Sequence, residues 1–114
     1  VPKLISFDID GTLETGDPPG LITMARVRHA LALGYIIGSC SDRTIAHQQR
    51  MWSEHGIPVS FTVLKHHLER VRIEIDAEVY VHIGDTHADE YYAEKAGFVY
   101  YFPDDSIDHL WLPA

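Results

Sequence analysis

The stretch Lys3-Leu4-Ile5-Ser6-Phe7-Asp8-Ile9-Asp10-Gly11-Thr12-Leu13 decides how this chain is read. Its first part, Lys3–Phe7, is a short apolar run, which predicts a buried strand. The run stops at Asp8, and a second acid and a glycine follow at once. Residues 11–20 (GTLETGDPPG) are rich in Gly, Pro and Asp, so they predict a loop. A buried strand that delivers carboxylates into a loop suits an open α/β sheet. In such sheets ligands bind outside the C-terminal ends of the strands.

Outward from this strand, the pattern alternates short apolar runs with longer amphipathic ones. A helix is predicted over 21–33, closed by Gly34. A strand over 35–38 follows, and then the polar run Ser39-Cys40-Ser41-Asp42. A helix over 44–55 is closed by Gly56, and Phe61–Leu64 reads as the third strand. Residues 65–76 have near-helical apolar spacing at Leu68, Val71 and Ile75. Val79–Ile83 is the fourth strand and ends at Gly84-Asp85. A helix over 86–96 is capped by Gly97, and 98–102 is the fifth strand. The tail 106–113 (SIDHLWLP) is expected to make a turn or short helix that packs Leu110 and Trp111 onto the body. Strands alternating with helices of this length imply right-handed crossovers and a mostly parallel sheet. The expectation is therefore an α/β chain: one domain over 1–114, a Rossmann-like three-layer sandwich on a five-stranded sheet.

Composition narrows the function. Nine Lys and Arg against 17 Asp and Glu give a formal charge of −8. That field disfavours unaided binding to nucleic acid or an anionic membrane, unless Lys65, Arg43, Arg50 and Arg70 gather into a basic strip. No apolar run approaches the ~20 residues of a membrane helix. No signal peptide is expected, because the chain enters a strand pattern directly. The one cysteine, Cys40, excludes an intramolecular disulfide and a cysteine-rich metal site. It suits a reducing, cytoplasmic setting and reads as a small buried residue rather than a nucleophile. Eight histidines are present, but none form the HExxH pattern of a zinc protease. Of these, His66, His67 and His82 read as surface or packing residues, and His87 as a candidate lining residue. The tryptophans and tyrosine pairs read as packing.

The residues that follow the predicted strands converge on one edge. They are Asp8 and Asp10, Ser39 to Arg43, Lys65, and Asp85 with Asp89. Clustered carboxylates repel one another and hold their protons unless a cation compensates. A purely oxygen donor set calls for a hard divalent metal, most simply Mg²⁺. A hydroxyl at Ser41, with Ser39 as its rival, and an ammonium at Lys65 are good partners for phosphate. Together they form a site for phosphoryl transfer.

These residues resemble the motifs of the haloacid dehalogenase superfamily of phosphatases and phosphotransferases. Asp8-Ile9-Asp10-Gly11-Thr12-Leu13 is similar to its first motif, Ser41 to its second and Lys65 to its third. Gly84-Asp85-Thr86-His87-Ala88-Asp89 is similar to the GDxxxD form of its fourth. The resemblance runs from about Lys3 to Phe102. It implies that Asp8 is the nucleophile and that Asp10 is the general acid and base. It implies Mg²⁺ between the Asp8 carboxylate, the Asp10 backbone carbonyl and Asp85, with Asp89 in support. Ser41 and Lys65 would hold the substrate phosphate, and Gly11 and Thr12 would start the loop that passes the site. The Lys-Pro pair frequent in the third motif is absent, so Arg70 and Arg72 stand as alternatives to Lys65. The family's cap domains have no room here: only 14–20 remain after the first motif, and one helix and a turn lie between the third and fourth strands. An uncapped site suits a bulky phosphorylated substrate or a site covered by another subunit. A polynucleotide-end phosphatase and a catalytically silent binding module are the rival readings.

Overall fold

The computed structural model describes residues 2–112. Five strands form one sheet: β1 (Lys3–Phe7), β2 (Ile36–Ser41), β3 (Phe61–Leu64), β4 (Val79–Ile83) and β5 (Val99–Tyr101). Their order is β3-β2-β1-β4-β5, and every pairing is parallel. The sheet is thus wholly parallel, where the sequence predicts only a mostly parallel one. The helices are α1 (Met24–Ala32), α2 (Ile45–Glu54), α3 (Leu68–Glu74) and α4 (His87–Ala96).

The order dictates the layers. From β1 the chain winds outward through β2 to β3, then crosses back to β4 and winds the other way. Right-handed crossovers in opposite directions put their helices on opposite faces. Accordingly Val27 and Ala30 of α1 and Met51 and Trp52 of α2 join Ile5, Phe7, Ile37, Val81 and Ile83 in one core. Leu68 and Val71 of α3 and Ala93 and Ala96 of α4 join Leu4 and Cys40 in the other. The period-2 alternation of β1 is visible here: Ile5 and Phe7 enter one layer, and Leu4 enters the other. The result is a Rossmann-like three-layer sandwich.

Local chemistry sets the element ends. Thr23 caps α1 through the Arg26 N–H, and Thr44 caps α2 through the His47 N–H. So α1 begins at Met24 rather than at 21, and Ile22, inside the expected helix, instead bridges to Leu13. Gly97, in the left-handed region at φ +79°, closes α4. The segment expected to be one helix over 65–76 splits into a 3-10 turn, Lys65–His67, followed by α3. The strand β5 is shorter than the 98–102 expected, because Phe98 turns into the second core.

The largest departure is β2. It runs on through Ser39, Cys40 and Ser41, which the sequence reading places as a polar run after the strand. These residues pair with Thr62, Val63 and Leu64 of β3. Burial of Ser39 is tolerated because its hydroxyl donates to Gln48 Oε1 at 2.6 Å and accepts the Trp52 indole N–H at 2.9 Å.

The tail forms a 3-10 helix, Asp105–Trp111, that buries Leu110 and Trp111 as expected. The expected tail segment's Pro113 lies outside the described residues. Trp52 is packed too, but Tyr91 is 59% exposed, against expectation. No helix among the described residues is long and apolar enough to cross a membrane.

Candidate active site

The winding direction reverses between β1 and β4, and in such sheets ligands bind at the C-terminal ends of the strands at that point. Asp8 follows β1 and Asp85 lies just past β4. Oxygens of Asp8, Asp85 and Asp89 lie within 4.8 Å of one another. Lys65 arrives from the end of β3. Its Nζ stands 3.6 Å from Asp8, 3.4 Å from Asp89 and 3.5 Å from Asp42. Three separate segments, after β1, β3 and β4, therefore bring Asp8, Lys65, Asp85 and Asp89 together. Lys65 is only 6% exposed. The alternatives in this role are elsewhere: Arg72 donates to the Gly97 carbonyl at 2.7 Å, and Arg70 is exposed on α3.

The three clustered acids have different surroundings. Asp8 is 3% exposed. Burial raises its pKa and the charge on Asp89 raises it further. Lys65 and the Ile9 N–H counter this, the Asp85 carboxyl adds to it, and the result is about 8. Asp89 is fully buried yet held at about 2: burial opposes its charge, but His82, Thr86 and Lys65 outweigh that. Its Oδ1 lies 2.8 Å from His82 Nε2. Its Oδ2 accepts the Thr86 N–H at 3.1 Å, the Thr86 hydroxyl at 2.7 Å and Lys65 Nζ at 3.4 Å. Asp89 also completes a capping box, since Thr86 accepts the Asp89 N–H in return. An ionised carboxylate only accepts, so His82 Nε2 carries a proton, and Nδ1 faces the Ser6 hydroxyl at 2.9 Å.

Asp85 is the contrast. Its Oδ1 is buried and has no hydrogen-bond partner among the described residues. An orphaned carboxylate oxygen beside an acid that holds its proton is the arrangement a hard cation would complete. Asp8 and Asp85 are the residues placed to ligate it. Asp89, occupied by its donors, would orient Lys65 and the surroundings. The backbone is shaped to allow this closeness. Gly11 has φ +75°, and a Cβ there would lie 2.0 Å from Asp85 Oδ2. A Cβ on Gly84 would lie 2.1 Å from Asp89 Cγ.

Asp10 is apart from the cluster. Its carboxylate faces Arg43, with Nη2 at 2.7 Å from Oδ1 and Nε at 3.3 Å from Oδ2. The Asp17 N–H donates to the same Oδ1 at 2.8 Å. Partial burial would raise the Asp10 pKa, but Arg43 and the Asp17 amide hold it below the usual range. Any metal contact from Asp10 is therefore left to its backbone.

The remaining predicted residues fall as follows. Ser39 faces α2, as described, so Ser41 is the hydroxyl at the strand end, where its Oγ accepts the Arg43 N–H at 3.1 Å. The Gly11 N–H is taken by the Pro18 carbonyl at 2.7 Å. Thr12 is fully buried, and its hydroxyl has no partner among the described residues. Cys40 is buried as expected, and burial pushes its thiol pKa up. His87 is exposed at the start of α4.

Sequence reasoning missed two residues. His82 is buried, at 1% exposure, as a packing residue would be, but it also holds Asp89, a role the sequence reading does not give it. A signal was present, because the strand alternation puts His82 on the face opposite Val81 and Ile83. Arg43, which the sequence places only after the second strand and in a candidate basic strip, pairs with Asp10, and that pairing has no sequence signal. Compared with protein-family models and with curated proteins, the sequence finds no match.

Proposed function

We propose that the protein is a Mg²⁺-dependent phosphomonoesterase of the haloacid dehalogenase type. The carrying observation is the orphaned carboxylate oxygen of Asp85, beside Asp8 and a buried lysine at the sheet's switch point. A cluster made only to stabilise the fold would satisfy its oxygens, as Asp89 does.

In this reading Asp8 and Asp85 would hold Mg²⁺, and the bound ion would neutralise phosphate charge and favour the ionised form of Asp8. The ionised Asp8 carboxylate attacks the phosphorus, and the ester P–O bond breaks. Asp10, carrying the proton that Asp8 gave up, passes it to the departing oxygen. The aspartyl-phosphate is then hydrolysed when Asp10 takes a proton from water, the water oxygen bonds to phosphorus and the P–O bond to Asp8 breaks. Lys65 and Ser41 hold phosphate oxygens through both steps. The segments between β1 and α1 and between β3 and β4 hold no inserted domain, so the site suits a bulky substrate. The basic strip that a polynucleotide would need is weakened, because Lys65 and Arg43 already face carboxylates. A cytoplasmic setting agrees with the lone buried Cys40.

The test is phosphate release from an aryl phosphate, with Mg²⁺ and with EDTA. We expect Mg²⁺-dependent release that falls at least a thousandfold in Asp8→Asn while the circular dichroism spectrum is kept. Undiminished release by the variant would sink the mechanism. Mg²⁺ binding without turnover on a broad phosphate panel would favour a binding module.

A further inference from the structure

Two cations stand at the candidate site, and they are not equivalent. Lys65 is buried and faces three carboxylates. Arg43 has a quarter of its side chain exposed (26%) and faces one. Among the described residues, it is the one arginine paired with a carboxylate of the site.

The pairing conflicts with the chemistry proposed for Asp10. Both Asp10 oxygens are engaged by the Arg43 fork. A carboxyl so held cannot reach a leaving oxygen, so the fork must open. The surroundings allow that. The Arg43 backbone is fixed at both ends: its N–H donates to Ser41 Oγ, and its carbonyl accepts Gln48 Nε2 at 2.9 Å. Gln48 is in turn anchored on Ser39 and the Val63 carbonyl. Only the side chain need swing. Asp10 would keep the Asp17 N–H when Arg43 leaves, so it is not stranded.

A charge-assisted fork gives way readily only to another anion. The scissile phosphate already has Lys65, Ser41 and the metal. We therefore propose that Arg43 selects the substrate class: phosphomonoesters that carry a second anionic group, a carboxylate or a phosphate, beside the scissile ester. The second anion draws Arg43 off Asp10, and Asp10 is thereby released toward the leaving oxygen. A substrate with no second charge leaves the fork closed. This inference rests on the phosphatase reading above.

The experiment uses matched substrates and reads their ratio. One pair is 3-carboxyphenyl phosphate against its methyl ester. The other is adenosine 3′,5′-bisphosphate against adenosine 3′-phosphate. The first arm tests a carboxylate and the second a phosphate as the second anion. For the native protein we expect kcat/KM to favour the more anionic member of at least one pair about tenfold or more. In Arg43→Ala the preference should fall to about one. Arg43→Lys, which keeps the charge but loses the fork, should retain part of it. Arg43→Gln serves as a second variant if the alanine protein does not keep its circular dichroism spectrum. A ratio near one in the native protein, or a preference that survives in Arg43→Ala, overturns the proposal and leaves the phosphatase reading standing. If no member of either pair is hydrolysed with Mg²⁺, and Asp8→Asn is indistinguishable from the native protein, both readings fall together.

Discussion

The loops after β1 and β4 each contribute two aspartates, and in each loop one is far better supplied with donors than the other. After β4, Asp89 is surrounded by His82, Thr86 and Lys65 while Asp85 has an oxygen with no partner. After β1, Asp10 is clamped by Arg43 while Asp8 is buried and retains its proton to about pH 8. The paired members, Asp89 and Asp10, are positioned by protein. The other two, Asp8 and Asp85, face each other across the switch point. The difference separates the two carboxylates held by protein donors from the two open to a cation, without reference to any motif.

The comparison is broken most severely at Asp89. Asp89→Ala would strand His82 and remove one of Lys65's buried partners. Loss of one member of a buried charged set costs roughly 3–5 kcal/mol. Chemical denaturation should report that loss, and a change under 1 kcal/mol would remove Asp89 from the framework.

Asp85 gives the next effect. Mg²⁺ at about a hundredfold over its dissociation constant should stabilise the native protein by about 2.7 kcal/mol. Asp85→Asn should abolish that shift in the melting curve. The shift also depends on pH. The folded Asp8 pKa lies above its unfolded value, so the folded state retains a proton that the unfolded state releases. Without metal, this group makes stability fall as pH rises from about 4 to about 8. Mg²⁺ must displace that proton, so its stabilisation should grow between pH 6 and 8. Asp8→Asn should flatten the metal-free decline. A native metal-free protein with no such decline would contradict the assignment.

Smaller effects sharpen the boundary. Gly11→Ala puts a side chain at positive φ and into Asp85, so we expect about 1–2 kcal/mol of destabilisation and weaker Mg²⁺ binding by calorimetry. At the far end of the scale, Asp108→Ala removes a surface pair with Arg26 and should change stability by less than about 0.5 kcal/mol.

What the sequence reveals, and what it hides, follows from these contacts. Asp8, Asp85 and Lys65 are legible because each sits where an apolar run stops, and strand ends are a local signal. The sheet and its layers follow from alternation. The extent of β2 is hidden because Ser39-Cys40-Ser41 has the composition of a loop. Its hydroxyl partners, Gln48 and Trp52, come from α2 and are known only once the helix is packed. The Arg43–Asp10 fork spans the crossover from β1 through α1 to β2 and depends on rotamers, so no spacing encodes it. His82 lies between the two cases: its face is legible, but its partner is not.

One feature of the sheet has a wider consequence. The carboxylates ride on interior strands, whereas Lys65 rides on β3, a four-residue strand at the margin. Short margins fray first. Here fraying would carry the compensating ammonium away from Asp8 and Asp89, so it costs electrostatic energy as well as ladder hydrogen bonds. The charge cluster thus acts as a clasp on the sheet's outer strand. Amide hydrogen exchange along Phe61–Leu64 should be slower than the length of that strand alone would allow.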